Sequence, residues 1–389
     1  MLKNFWYAVE LGGEVGDEPA KVRIGGQDLV LWRRGREVIA QSDVCVHRGG
    51  PLSGGKVKRG CVECPYHGWL FDDTGACVKI PANREGVPIP KKARVDTYPC
   101  VERYGFIWVF LGDLPEDERP PIPELDGLDS APEARIEGSK AVSGEFTWQA
   151  NFERVIENAV DISHTPFVHA GSFGNPDKPE IEDYEVDEVH VDDRLMSARA
   201  TVDLDPPPAR GRWGKLRKSD AATERPKVRT TTGLFFPNVS MLVVRLPMGE
   251  IRIYTAAVPI DENVTVSKFI MMRNFFQGAW ADRDSVKRTL KIFNEDKATV
   301  EGQRPELLPF DLSAELHVKS DALQLAYRRW RNDGYEQGLG VDQHRLGDTR
   351  DSVVVIPSPV RSSDPDLENA WVLKEIESGF SPKPEKSGA

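Results

Sequence analysis

Residues 45–67 run CVHRGGPLSGGKVKRGCVECPYH. Cys45 and His47 stand one residue apart, sixteen residues separate His47 from Cys64, and His67 follows Cys64 by three positions. Each end of the stretch therefore offers one thiol and one imidazole. Glycines at 49, 50, 54, 55, 60 and 68, with Pro51 and Pro65, supply the tight turns that would wrap two loops around one inorganic centre.

Two thiolates and two imidazoles suit a [2Fe-2S] centre of the Rieske kind, in which Cys45 and Cys64 bind one iron and His47 and His67 the other. Neutral imidazoles raise the potential of such a cluster above that of an all-thiolate one. Structural zinc takes the same residue types, and C-x-x-H spacing is common around it. The C-x-H of the first loop sets adjacent ligands too close for an ordinary zinc knuckle, which favours iron and sulfur. Cys61 competes with Cys64, but the Pro-Tyr-His that follows Cys64 makes it the better ligand. Cys61, Cys77 and Cys100 then read as free thiols packed as small apolar groups. The C-x-H-R of Cys45 to Arg48 and the CPYHGW of Cys64 to Trp69 resemble the signature loops of the Rieske oxygenases.

The chain of 389 residues has room for two separate cores. Its net charge of -11 argues against a nucleic-acid partner, for which a basic surface is expected. Five cysteines are too few for a disulfide framework, and the N-terminal MLKNFWYAVE has no apolar run of signal-peptide length. No stretch approaches about 18 uninterrupted apolar residues, so no membrane span is expected. These points together predict a cytoplasmic protein.

KVRIGG, DLVLWR and EVIAQS within residues 20–41 alternate as paired strands, and the pattern continues past His67 to YGFIWVFLGD. An all-β first domain, 1–120, would carry the cluster loops. LPEDERPPIPEL, from Leu114 to Leu125, reads as a linker into a second domain, 121–389. There, residues 228–275 alternate as antiparallel strands, with turns near Met248-Gly249 and Asp261-Asn263. Residues 205–229 read as a basic surface loop or lid, Val318 to Asp333 as an amphipathic helix, and GFSPKPEKSGA as a flexible tail. The fold class expected is α+β: an all-β domain, then an antiparallel sheet with helices. No internal repeat is present.

FTWQANFERVIENAVDISHTPFVHAG, from Phe146 to Gly171, favours a helix through Ser163, with Asp161 and His164 on one face and Pro166 breaking the turn before His169. Two imidazoles plus a carboxylate on one face of Fe(II) leave the opposite face open for dioxygen and substrate. The candidate carboxylate is Asp296 in VKRTLKIFNEDKATVEGQ. On a helix, Val286, Leu290, Phe293 and Val300 would form a stripe with Asp296 beside it and Glu295 pointing away. Glu301 is the reserve. His190, His317 and His344 fit no ligand spacing.

ENAVDISHTPFVH resembles the mononuclear-iron motif of the Rieske non-heme iron oxygenases, and FNEDK the carboxylate segment of their hydroxylase and demethylase branch. AYRRW resembles the pheophorbide oxygenase-like branch. The resemblance implies a helix-grip-like second domain, with His164, His169 and Asp296 on iron. It implies Asp161 as a hydrogen-bonded bridge to a cluster histidine, His67, on a neighbouring subunit, and Asn158 close to the metal. It also implies dioxygen as co-substrate and a homotrimer. Electrons would reach the chain from NAD(P)H through a separate reductase or ferredoxin, because no second cluster motif and no dinucleotide fingerprint is found. The product would be a hydroxylated or demethylated small molecule. The alternatives are arene cis-dihydroxylation and a Rieske electron carrier with an inert second domain.

Overall fold

The protein is described by a computed structural model covering residues 1–125, 139–191, 194–207, 226–363, 365–367 and 370–382. Most of the basic 205–229 segment, and the tail from residue 383, lie outside the described residues. The chain divides into two compact units. One comprises Met1–Ile122, Val258–Lys268 and the described residues from Arg331 on; the other comprises the described residues of Pro123–Ala257 and Phe269–Trp330.

The first unit is built on short antiparallel strands. Ala20–Ile24, Gln27–Arg34, Glu37–Ser42 and Thr97–Tyr98 form one sheet, and Lys56–Lys58, Cys61–Glu63, Leu70–Phe71 and Cys77–Lys79 another. The register Leu31↔Ala40 and Trp32↔Ile39 follows from the two-residue Gly-containing turn at 35–36. Val30, Trp32, Leu52, Val62, Phe71 and Val95 pack with Cys45 and Cys64 into one core. Full burial of side chains the size of Phe71 contributes on the order of 2–3 kcal/mol each. The turn at Asp73–Gly75 is held by Asp72, whose Oδ1 accepts from the Thr74 and Ala76 amides. Gly75 is required there: its φ is +83°, and a Cβ would lie 2.1 Å from the Val95 carbonyl oxygen. The segment 114–125 is more firmly packed than a linker, since Trp6 Nε1 donates to the Pro120 carbonyl at 2.9 Å and Ile122 is buried.

Residues 140–273 form an antiparallel sheet of seven strands: β1 (Lys140–Trp148), β2 (Val186–Val191), β3 (Arg194–Leu204), β4 (Val228–Phe235), β5 (Val239–Leu246), β6 (Gly249–Pro259) and β7 (Thr265–Arg273). Their spatial order is β1-β7-β6-β5-β4-β3-β2. Four helices matter to the site: α1 (Phe152–Val160), α2 (Thr165–Val168), α3 (Ala279–Gly302) and α4 (Ala322–Glu336). Phe293 of α3 packs edge-on against Phe269 of β7 and at 5.8 Å from Trp148 of β1, which fixes α3 to that edge of the sheet.

Candidate metal centres

The two cluster loops have matching hydrogen bonds. The Cys45 amide donates to Gly50 O and the Gly49 amide returns to Cys45 O; the Cys64 amide donates to Trp69 O and the Gly68 amide returns to Cys64 O. Gly55 lets the loops close, since a Cβ there would lie 1.8 Å from Glu63 O. Cys45 and Cys64 are buried, while the rings of His47 and His67 stand 4.5 Å apart at the outer edge. His47 is stacked on Trp69 and His67 is exposed. Two thiols inward and two imidazoles outward is the donor order of a Rieske cluster. The fit is tested by two atoms. His47 Nδ1 is buried with no hydrogen-bond partner. Burial, and then the neighbouring Cys64 thiol, push the Cys45 thiol up to about 12 against amide hydrogen bonds from His47 and Arg48. A metal supplies the charge that would make such a thiol a thiolate.

The second centre departs from the sequence reading in its backbone. The helix α1 stops at Val160, three residues short of Ser163, because Asp161 takes an extended conformation as its C-cap (φ -74°, ψ 124°). Phe146–Trp148 belong to β1, and α1 begins only after Asn151, whose side chain accepts from the Glu153 amide. Pro166 does not break α1; it sits in the first turn of α2, where its missing N–H costs nothing. His164 and His169 are the residues that flank α2, and one short turn between them turns both rings to the same point.

His164 Nε2 and His169 Nε2 lie 3.3 Å apart, and Asp296 Oδ1 lies 3.4 and 3.2 Å from them. Three donors at right angles around a metal, with bonds of about 2.1 Å, are separated by about 3.0 Å. The near-equilateral triangle therefore has the shape of a facial triad, and among the described residues it is a group able to hold a metal ion. Asp296 Oδ1 is buried without a hydrogen-bond partner, as a ligand atom would be. Burial works against a proton on His169, but the facing carboxylates of Asp296 and then Glu295 outweigh it and hold its pKa above the usual value.

Glu295 does not point away. Its Oε2 lies 2.9 Å from His169 Nδ1, and its Oε1 accepts from Ser172 Oγ at 2.6 Å and faces Lys291 at 3.2 Å. Consecutive residues of α3 therefore grip the two opposite nitrogens of one ring. The fully buried line of α3 is Ala281, Ser285, Thr289, Asp296 and Val300, one residue round from the expected stripe, so Asp296 lies within the line and not beside it. Val286 and Leu290 are half-buried. Glu301 accepts from the Gln149 amide and belongs to no triad. A carboxylate behind a ligating histidine raises its basicity and fixes its tautomer. Glu295→Gln is expected to weaken Fe(II) affinity about 10- to 100-fold with the cluster absorption unchanged; chelator competition measures it, and wild-type affinity would remove the role.

Asp161 Oδ2 lies 3.5 Å from His164 Nδ1, beyond hydrogen-bond length, while its Oδ1 accepts from the Ser163 amide at 2.7 Å. Burial first, then the charges of Asp161 and Asp321, push the Tyr184 phenol up to about 12, so the Asp161 charge is felt inside the fold. Asn158, in the last turn of α1, is half-buried, and its carbonyl accepts from the Asp161 amide. His190 lies near Glu188, and His317 contacts Leu312 O; neither reaches the triad. The element that anchors α1 was not legible from motifs. Arg328 of α4 donates to Glu157 at 2.8 Å and to Glu315 at 2.6 Å, and Arg154 donates to Glu315 at 2.9 Å. Breaking such a buried network costs on the order of 3–5 kcal/mol.

Two family models match the chain. Residues 5–99 match the Rieske [2Fe-2S] domain family, and residues 148–336 match the Vanillate O-demethylase oxygenase C-terminal domain family. Methylxanthine N1-demethylase NdmA of Pseudomonas putida is 29% identical over 342 residues, 85% of this chain and 88% of that protein. Methylxanthine N3-demethylase NdmB of the same organism is 27% identical over 347 residues, 85% and 89%. The solved structure of an NdmA mutant with caffeine superposes with a TM-score of 0.68 at 26% identity, covering 88% of this chain and 94% of that one. Dicamba monooxygenase bound to dicamba, at 21% identity and a TM-score of 0.63, shares the fold. The chain belongs to the Rieske oxygenases, in their monooxygenase and demethylase branch.

Proposed function

We propose that the protein is a terminal oxygenase that hydroxylates, or oxidatively demethylates, a small aromatic or cyclic substrate. Residues 1–120 serve as the cluster domain and 121–389 as the catalytic part. Cys45, His47, Cys64 and His67 hold the [2Fe-2S] cluster, and His164, His169 and Asp296 hold Fe(II). Bound there, the cluster supplies electrons singly and Fe(II) supplies the binding and reduction of dioxygen. Glu295 orients His169, and Asp161 orients His164 and links its ring to the incoming electron path. Asn158 stands by the site without being a ligand. The triangle of 3.2–3.4 Å edges carries the reading, because an electron carrier has no use for a second donor set of that shape.

The net reaction inserts one oxygen atom into a C–H bond and releases the other as water, with two electrons and two protons taken up. On an O- or N-methyl carbon, the hemiacetal or hemiaminal then collapses to formaldehyde. Demethylase relatives of near-equal length support that outcome. The electrons come from NAD(P)H through a separate reductase or ferredoxin, the assembly is a homotrimer, and the site of action is the cytoplasm. Among the described residues no helix is long and apolar enough to cross a membrane. Turnover in labelled dioxygen is expected to put one labelled atom into the organic product or the formaldehyde; two labelled atoms on adjacent ring carbons would establish cis-dihydroxylation instead.

A further inference from the structure

The two histidines of the triad are held unequally. His164 Nδ1 has no hydrogen-bond partner, and the Asp161 carboxylate stands 3.5 Å from it. His169 Nδ1 meets Glu295 Oε2 at 2.9 Å, the His169 ring is stacked on Phe173 at 4.7 Å, and the His169 carbonyl accepts from the amides of Ser172, Phe173 and Gly174. Gly174 is needed for that turn, because a Cβ would lie 2.3 Å from the Thr165 carbonyl oxygen. The same turn carries the Ser172 hydroxyl to α3.

A closed loop of three contacts forms there. Ser172 Oγ donates to Glu295 Oε1 at 2.6 Å, Lys291 Nζ donates to Ser172 Oγ at 2.7 Å, and Lys291 Nζ lies 3.2 Å from Glu295 Oε1. Helix stability is a poor account of it. Lys291 precedes Glu295 by one turn, the weaker order for such a pair on a helix, and its side chain is 60% exposed, where a lone ion pair contributes little. The terminal torsion of a glutamate is soft, so a carboxylate with one partner swings. With Oε1 fixed from two sides, Oε2 stays on His169 Nδ1. We propose that Ser172 and Lys291 are positioning residues for the mononuclear iron, which clip the ligand turn to α3 and lock Glu295 onto His169. Both act through Glu295. This rests on the proposed Fe(II) site and adds to it the two side chains that keep one of its imidazoles in place.

The test measures Fe(II) affinity by chelator competition on the full-length protein with its cluster in place. Ser172→Ala, Lys291→Met and the two together are made in the unaltered protein and again in Glu295→Gln. Each single substitution is expected to weaken Fe(II) binding about 3- to 10-fold, and the pair about as much as Glu295→Gln does, with the cluster absorption and the Tm unchanged. Lys291→Arg keeps a cation and its donors, and is expected to hold affinity within about 2-fold of the unaltered protein. In Glu295→Gln none of these changes should weaken binding further, since the group they aim is gone. Unchanged affinity in the unaltered background, or an equal loss in both backgrounds, overturns the inference. Unchanged affinity in Glu295→Gln itself overturns it from beneath by removing the role of Glu295, and the lack of any Fe(II) beyond the cluster would overturn the iron assignment, so the failures are told apart.

Discussion

The His164→Ala variant is expected to hold about two iron atoms per chain where the unaltered protein holds about three, with turnover lost and the visible spectrum of the cluster retained. His164 Nε2 provides two of the three edges of the triangle, and its removal leaves His169 and Asp296 as a two-donor site. Asp296 Oδ1, already without a hydrogen-bond partner, would then face one imidazole and a cavity. The cluster should survive because all four of its ligands lie at 45–67, on loops whose hydrogen bonds close among themselves. Iron and acid-labile sulfide analysis, with a visible spectrum, settles the outcome. Three irons retained would remove His164 from the ligand set, and loss of the cluster would show that the two centres are not separately assembled.

The grouping of the candidate donors was legible in the sequence for a physical reason: metal ligands must be particular residue types at particular separations, so a few positions carry the whole signal. Cys45, His47, Cys64, His67, His164, His169 and Asp296 are recoverable from spacing and from family resemblance. The alternating strands of 20–41 and 228–275 were equally legible, because half-buried antiparallel strands leave a period of two. The end of α1 was not. Residues 146–163 contain good helix formers, and nothing local announces that Phe146–Trp148 pair as a strand or that Asp161 becomes a C-cap. Glu295 was misplaced because a helical wheel describes the direction of a Cβ, whereas a glutamate side chain is long enough to curl onto His169 Nδ1. The Arg328–Glu157–Glu315 network was invisible because its members lie up to 171 residues apart in the chain.

Asp161→Asn is expected to keep about three irons and an unchanged cluster spectrum while turnover falls at least about 100-fold. The substitution preserves shape and removes charge. In the unaltered protein the Asp161 carboxylate faces His164 Nδ1 on the side of the ring away from the triad, so it favours the tautomer with a proton on Nδ1 and a lone pair on Nε2 for the metal. An asparagine can turn either its oxygen or its amide N–H to that nitrogen, and it offers no net charge to an incoming electron path. Its Oδ1 can still accept from the Ser163 amide, so the loop between α1 and α2 should hold its shape. The decisive measurement is a single turnover: reduce the cluster, add substrate and dioxygen, and follow the return of the oxidised absorption. Slow reoxidation with iron fully retained would place Asp161 in electron delivery. Reoxidation at the unaltered rate would confine the carboxylate to holding the ring, as Glu295 does for His169, and fast turnover with full iron would remove it from the mechanism.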